Sequence, residues 1–322
     1  MNEKLQSWLA PLTGLPVALI YGVLARLAFS APDESGALSA MTCGFLFLVP
    51  IAMGALTVYF APPNLQLSGR YAFFMPWVAC IVTVLVIAAI GLEEVVCIVM
   101  ALPLFLLLSS LGGWLMHLRK RKNYVSNLMH GSLLGLLLVA PYLVTPLETR
   151  LPVGDTIYHV QNQVEIAADV DTVWRNIIEV PLIQPEEQHF SIFHPLGLPK
   201  PLAATLSHEG VGGVRHASFE NGLLFIEEIT AWRDHDSLSF TIQRDAQRQL
   251  PAPLNQIGGR YFNVLDGTYR IEPLADGRVR LHLESTHRLS TRFDFYGGLW
   301  TRWVMWDLQD YILQIIKVRC EK

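Results

Sequence analysis

Eight of the ten histidines lie beyond residue 150: His159, His189, His194, His208, His216, His235, His282 and His287. Imidazole titrates near neutrality, so these are the first residues to weigh for acid–base work. Alternation along Arg278–Leu289 separates two of them. His287 shares the parity of Val279, Leu281, Leu283 and Leu289, whereas His282 goes with Arg278, Arg280 and Glu284. Successive strand residues face opposite sides, so His287 and Ser285 are predicted on the apolar face and His282 in solvent. A histidine there could act as acid or base, or orient the polar end of a ligand; as a core residue it needs only a hydrogen bond. His287 is the single, weak catalytic candidate.

The same parity places Asn162 inward with Val160 and Val164, and Tyr261, Asn263 and Tyr269 with Leu265 and Ile271. Either Glu227 or Glu228 must take the inner face of the run 223–232, with Ala231 near its inner wall. Trp300, Trp303 and Tyr311 recur at helical spacing and are core packing or the wall of a ligand site. The candidate ligand-lining set is therefore Asn162, Tyr261, Asn263, Tyr269, Ser285, His287, Trp300 and Trp303.

Stronger chemical signatures are missing from the sequence. There is no Gly-x-Ser-x-Gly elbow, His-Glu-x-x-His helix or Cys-x-x-Cys pair, so no metal and no cofactor is expected. Gly210-Val-Gly-Gly213 joins two predicted strands without a following helix N-terminus and reads as a turn. Cys43, Cys80 and Cys97 sit in apolar runs and only Cys320 lies in the polar half, which gives that half no disulfide framework. No Asn-x-Ser/Thr acceptor occurs, favouring a bacterial source.

The elements that must position these side chains follow from periodicity. Tyr158–Ile166 alternates as a strand with one dry side. A short helix follows, with Asp169 as N-cap and Val173, Trp174, Ile177 and Ile178 as its apolar stripe. Alternating runs recur at Ala203–Glu209, Val214–Glu220, Leu223–Trp232, Ser237–Gln243, Tyr261–Pro273 and Arg278–Leu289. Glu220-Asn-Gly222 and Ala275-Asp-Gly277 mark hairpins. An amphipathic helix over about Tyr296–Val318 closes the chain, and a curved antiparallel sheet of about seven strands around it buries both stripes. Two connections, Glu179–Pro201 and Arg244–Gly259, are long enough to be lids; Phe190, Ile192, Phe193, Leu196 and Leu198 let the first insert into the bilayer or cap the cavity, and the alternative is a satellite helix that covers the sheet edge.

This order, with Val164-Glu-Ile-Ala-Ala-Asp-Val-Asp-Thr-Val-Trp174 at its start and Asp266-Gly-Thr-Tyr269 before the long helix, resembles the START-like superfamily, also called SRPBCC or polyketide cyclase/dehydrase-like. The resemblance covers about residues 157–319 and rests on element order more than on a catalytic motif. It implies an α+β helix-grip fold with a deep apolar cavity between sheet and helix, used for lipids, sterols, polyketides or other hydrophobic ligands.

The first half calls for a different solvent. The chain is 52% hydrophobic and only 16% charged, against about 25% charged in soluble domains. Residues 1–150 carry 8 Lys/Arg and 6 Asp/Glu, and residues 151–322 carry 16 and 22. No concentrated basic surface is present, so nucleic acid is not an expected partner. Five apolar runs, Trp8–Phe29, Met41–Phe60, Ala72–Gly91, Val95–Leu118 and Tyr124–Thr145, are predicted to span a bilayer as an all-α transmembrane domain over 1–150. Lys4, Arg70 and Arg119–Lys122 place their loops inside; the Asp33/Glu34 and Glu93/Glu94 loops then lie outside. The domain 151–322 follows on the periplasmic side of a bacterial inner membrane. Alternatively, the first run is a signal peptide ending near Ala28-Phe29-Ser30. Arg26 is expected to snorkel at the outer end of its span, His130 to pack against a neighbour, and Gly131 and Gly135 to mark close helix contact.

Three functions fit this pattern. One is a membrane-tethered domain that binds a lipid or other hydrophobic small molecule. Another is a cyclase, dehydratase or isomerase acting through His287 in the same cavity. The third is a non-catalytic sensor or assembly factor that contacts a membrane-protein partner.

Overall fold

Apolar residues all round, without a polar stripe, make the helices of the first half, while alternation makes the strands of the second. A computed structural model describes residues 10–30, 38–121, 127–247 and 256–322, with side chains for all of these except 10 and 127–131. Lys4, Trp8, Asp33, Glu34, Lys122 and Tyr124 lie outside the described residues, as do the side chains of His130 and Gly131. The chain divides into two units, Met1–Val153 and Gly154–Lys322.

In the first unit α1 is Leu15–Ala28, α2 is Gly44–Tyr59, α3 is Gly69–Ala89, α4 is Val95–Arg121 and α5 is Asn127–Thr149. Among the described residues three helical stretches are long and apolar enough to cross a membrane, Gly69–Ala89, Val95–Arg121 and Ser132–Thr149. This corrects the five predicted spans. At 1.5 Å per residue, α1, with 14 residues, reaches about 21 Å, short of the roughly 30 Å hydrocarbon core. The first two apolar runs include residues that fold as turns, so their lengths overstate the helices.

Local contacts explain the packing of this unit. A Cβ on Gly54 would collide with the Ser109 carbonyl, and one on Gly112 with that of Ile51, so α2 and α4 approach backbone to backbone. Glu148 accepts the N–H groups of Cys43 (2.8 Å) and Gly44 (3.1 Å) and so caps the start of α2. Arg26 stands near the end of α1, where its Nε donates to Glu93 at 2.7 Å and its Nη2 to the Leu92 carbonyl at 3.0 Å, in the turn that Gly91 makes with φ +69°.

The second unit is one seven-stranded antiparallel sheet in the order β1-β7-β6-β5-β4-β3-β2. Its strands are β1 Thr156–Ile166, β2 Pro201–Leu206, β3 Val214–Phe219, β4 Leu224–Arg233, β5 Ser237–Arg244, β6 Phe262–Pro273 and β7 Val279–Leu289. After β1 comes α6, Val170–Ile178, whose N-cap Asp169 accepts the Thr172 N–H at 2.7 Å. The last helix, α7, runs Asp294–Cys320 and packs chiefly on β1, with smaller contacts to α6 and β7. Sheet and helix thus form the expected helix-grip arrangement. Ile166, Trp174, Ile177, Leu238, Leu281, Leu283, Leu313 and Ile316 share one buried cluster between the sheet, α6 and α7.

The connection 179–200 both covers an edge and grips α7. Val180 exchanges backbone hydrogen bonds with Ala204 on edge strand β2, 2.8 Å each way, which removes an exposed edge. Farther along, Asp307 of α7 accepts from Ser191 Oγ (2.5 Å) and the Ile192 N–H (3.1 Å). Arg319 forks onto Glu187 at 2.9 and 2.7 Å. That pairing is the main reason the Glu187 carboxyl is held down to about 2. In the second connection, Pro251 and Pro253 lie outside the described residues.

Candidate functional site

Residues directly opposite on antiparallel strands share a face, so the sheet register decides which side chains look toward α7. On β7 the inner set is Val279, Leu281, Leu283, Ser285, His287 and Leu289, and their partners on β1 and β6 include Val160, Asn162 and Tyr269. His287 is fully buried. Its Nε2 meets Thr301 Oγ1 of α7 at 3.1 Å, and its ring lies 5.4 Å from each of the Tyr158 and Phe262 rings. Burial, with the nearby Arg302 charge, pushes its pKa down to about 4, so the imidazole is neutral at pH 7. Acid–base work here would require the aromatic walls to part. Ser285 Oγ accepts from Gln309 Nε2 at 2.8 Å. Asn162 lies toward α7, with Nδ2 3.5 Å from the Trp306 carbonyl.

Several predicted positions need correction. A bulge between Val264 and Asp266 leaves Leu265 without a partner and pairs Asn263 with Arg288 and Val264 with His287. Asn263 therefore sits on the outer face. Tyr261 falls just before β6; it is buried beneath the Arg260 guanidinium (5.7 Å), but Phe262 holds the inner-face position beside His287. A second bulge between Ile229 and Ala231 leaves Ala231 exposed, and Trp232 pairs with the inner Leu238. His282 is on the predicted outer face but is buried, with Nε2 2.8 Å from Glu272. Trp300 stacks on Trp303 at 5.6 Å. Trp303 meets Phe193 of the 179–200 connection at 5.1 Å and is largely exposed. These two rings flank α7 on the side of that connection, not on the side of the sheet.

The most unusual inner-face group joins Glu227, the one of the expected pair Glu227/Glu228 that turns inward, to Arg215, which was not among the predicted residues. Arg215 and Glu227 oppose each other across β3 and β4, and Arg215 Nη1 is 3.2 Å from Glu227 Oε2 with both side chains buried. The guanidinium lies 5.5 Å from the Phe240 ring and 5.8 Å from that of buried Tyr269. Burial pushes the Glu227 carboxyl up, against the pull of Arg215, and it also raises the Tyr269 phenol. Parity could have found this pair, because Arg215 alternates with Ala217 and Phe219, both apolar.

Among the described residues, buried polar atoms with no protein hydrogen-bond partner include Arg215 Nε and His287 Nδ1 on the inner face of the sheet, Gln309 Oε1 on the sheet side of α7, and Tyr311 Oη and His194 Nε2 where the 179–200 connection covers α7, while Glu227 Oε2 has only its ion pair with Arg215. His194 and Tyr311 touch ring to ring at 4.5 Å. Native interiors leave few such groups, so Arg215 Nε, His287 Nδ1 and Gln309 Oε1 mark polar points on the apolar wall between the sheet and α7. A groove of about 290 Å³ lined by His159, Gln161, Asp266, Thr268, Glu284 and Thr286 opens on the opposite, outer face. Among the described residues no cluster of His, Cys, Asp and Glu could hold a metal ion.

No protein-family model matches the chain, and no curated protein matches it either. Among solved structures, norcoclaurine synthase of Thalictrum flavum is similar over 51% of this chain and 96% of its own, with 15% identity and a TM-score of 0.31. The protein Ara h 8.0201 is similar over 52% of this chain and 100% of its own, with 12% identity and a TM-score of 0.31. A protein from Arthrobacter aurescens is similar over 49% and 85%, with 18% identity and a TM-score of 0.30. The helix-grip arrangement itself stands on the strand order and on the packing of α7.

Proposed function

We propose that the unit Gly154–Lys322 is a START-like domain that binds a lipid or other hydrophobic small molecule bearing one polar end. The observation that carries this reading is the buried Arg215–Glu227 pair on the inner face of the sheet, whose Arg215 Nε has no hydrogen-bond partner. Arg215 Nε offers a donor and Glu227 Oε2 an acceptor, so a hydroxyl or a protonated carboxyl satisfies both. Phe240, Tyr269 and Leu206 supply apolar surface around them. Such a site orients an amphiphile by its head and holds it by its tail.

In the same reading the first unit tethers this domain to a bacterial inner membrane. Arg119, Lys120 and Arg121 at the end of α4 favour the cytoplasmic side, and α5 then carries the chain to the periplasmic side.

The test is displacement of a fluorescent fatty acid from the full chain in detergent by three molecules of equal tail length: an alkane, an alcohol and a carboxylic acid. The alcohol and the acid should compete and the alkane should not. Equal competition by all three would remove the polar cluster from the site. Failure of the fluorescent acid to bind at all would leave the partner-contacting role ahead.

A further inference from the structure

On α7 the residues Phe295, Leu299, Trp303 and Trp306 recur at spacings of four, four and three and so lie along one side of the helix. They are 70, 58, 42 and 46% exposed. From the neighbouring connection come Phe190 and Ile192, 73 and 39% exposed, held there by the Ile192 N–H on Asp307 and by Phe193 against Trp303. Full burial of an aromatic side chain covers about 150–250 Å², so this patch amounts to roughly 600 Å². Soluble monomers rarely leave that much contiguous apolar surface without a use. Arg302 is exposed on the same side, and no carboxylate lies between Phe295 and Trp306.

Chain connectivity says what lies near. The apolar helix α5 ends at Thr149 and β1 starts at Thr156, so six residues join them, and six extended residues reach about 20 Å. The start of α7 is tied to the start of β1, because Asp294 accepts from Thr156 Oγ1 and its carbonyl accepts from Tyr158 Oη at 3.2 Å. Phe295 is the next residue. If α5 crosses a bilayer, the aromatic side of α7 therefore begins within a short reach of the membrane surface.

Trp and Phe beside a basic residue are the side chains that settle at the boundary between headgroups and acyl chains. We infer that the exposed side of α7, together with Phe190 and Ile192, docks in the plane of a lipid bilayer interface. This rests on the reading that the first unit enters a bilayer. It goes beyond tethering, since it fixes which side of the domain meets lipid.

The experiment places the photocrosslinker p-benzoylphenylalanine at single positions of the full chain in nanodiscs of phosphatidylethanolamine and phosphatidylglycerol. Positions 295, 299 and 306 probe the proposed surface. Val211, 64% exposed in the turn before β3, is the control, and Leu107 of α4, 64% exposed, probes the membrane reading itself. Lipid adducts are expected at Leu107 and at all three α7 positions and not at Val211. With the crosslinker at Trp303, serine at Phe295, Leu299 and Trp306 together should abolish the adduct. Adducts at Leu107 with none on α7 would overturn the docking surface alone, as would α7 adducts to protein instead of lipid. No adduct at Leu107 would overturn the membrane reading and the docking surface with it.

Discussion

Removing Arg215 leaves a carboxyl among apolar side chains with nothing to neutralise it. Replacement by Met keeps the length of the side chain and removes the charge. Glu227 then escapes by taking up a proton. At pH 7 that costs about 1.4 kcal/mol per unit above its ordinary value of 4.5, or about 3.4 kcal/mol in all. A group protonated when folded and ionised when unfolded loses stability as pH rises, so the cost of Arg215→Met should fall toward zero as the pH drops from 7 to about 4.5. Glu227→Leu behaves differently, because a guanidinium cannot shed its proton. Its cost should be about 3–5 kcal/mol and nearly flat with pH. The double variant removes both charges and should be near neutral or more stable than wild type. At about 2–4 °C per kcal/mol for a unit of this size, each single variant should lower the midpoint at pH 7 by about 6–20 °C. The assay is thermal unfolding of the full chain in detergent, read by protease cleavage within Gly154–Lys322. Additive effects of the two substitutions, or single variants within about 2 °C of wild type, would refute a desolvated pair.

Three further outcomes are expected. Leu281→Asp should cost several kcal/mol, since it buries an unpaired charge, whereas Arg280→Asp gives up partly exposed pairs with Glu165 and Glu272 and sets a like charge beside them, which should cost about 1 kcal/mol; equal melting points would mean the inner face is misassigned. Glu187→Gln should free the 179–200 connection to proteolysis at pH 7. In wild type, because Arg319 holds the carboxyl down to about 2, protection should persist below pH 4.5 and be lost only as the pH falls through about 2; cleavage unchanged in the variant would contradict the latch. A reporter active only outside the cytoplasm should work when fused after Lys322, and one active only inside should work between Lys120 and Asn123; a cytoplasmic signal at Lys322 would overturn the orientation.

What could be read from residues alone was the order of strands and helices, because each rests on a local period. The hairpins at Asn221-Gly222 and Gly277 require positive φ and have it. Faces were legible only where the period ran unbroken. On β7 it does, and His287, Ser285 and Leu283 are inward. On β6 one extra residue at Leu265 reverses the parity upstream, so Asn263 faces out, and no side-chain type announces such a bulge. On β4 the same device exposes Ala231. α7 misled for another reason: it is covered by the sheet along Met305, Gln309, Leu313 and Ile316 and by the 179–200 connection along Asp307 and Tyr311. Two buried sides blur the single stripe that periodicity looks for, which is why Trp303 was assigned to the interior. Arg215 was passed over because a charge is expected to face water, although its place between apolar partners of like parity was visible. Apolar length exceeded helix length at α1 and α2, because residues in turns can be as hydrophobic as those in helices.

Native mass spectrometry of the full chain, released from detergent after gentle extraction, tests the binding claim most directly. Wild type should carry a stoichiometric adduct whose mass fits an amphiphile with a hydroxyl or carboxyl end. Arg215→Met/Glu227→Leu, equally folded, should carry none. An adduct retained equally by both, or bare protein in every preparation of wild type, would contradict a ligand held by its polar end between the sheet and α7.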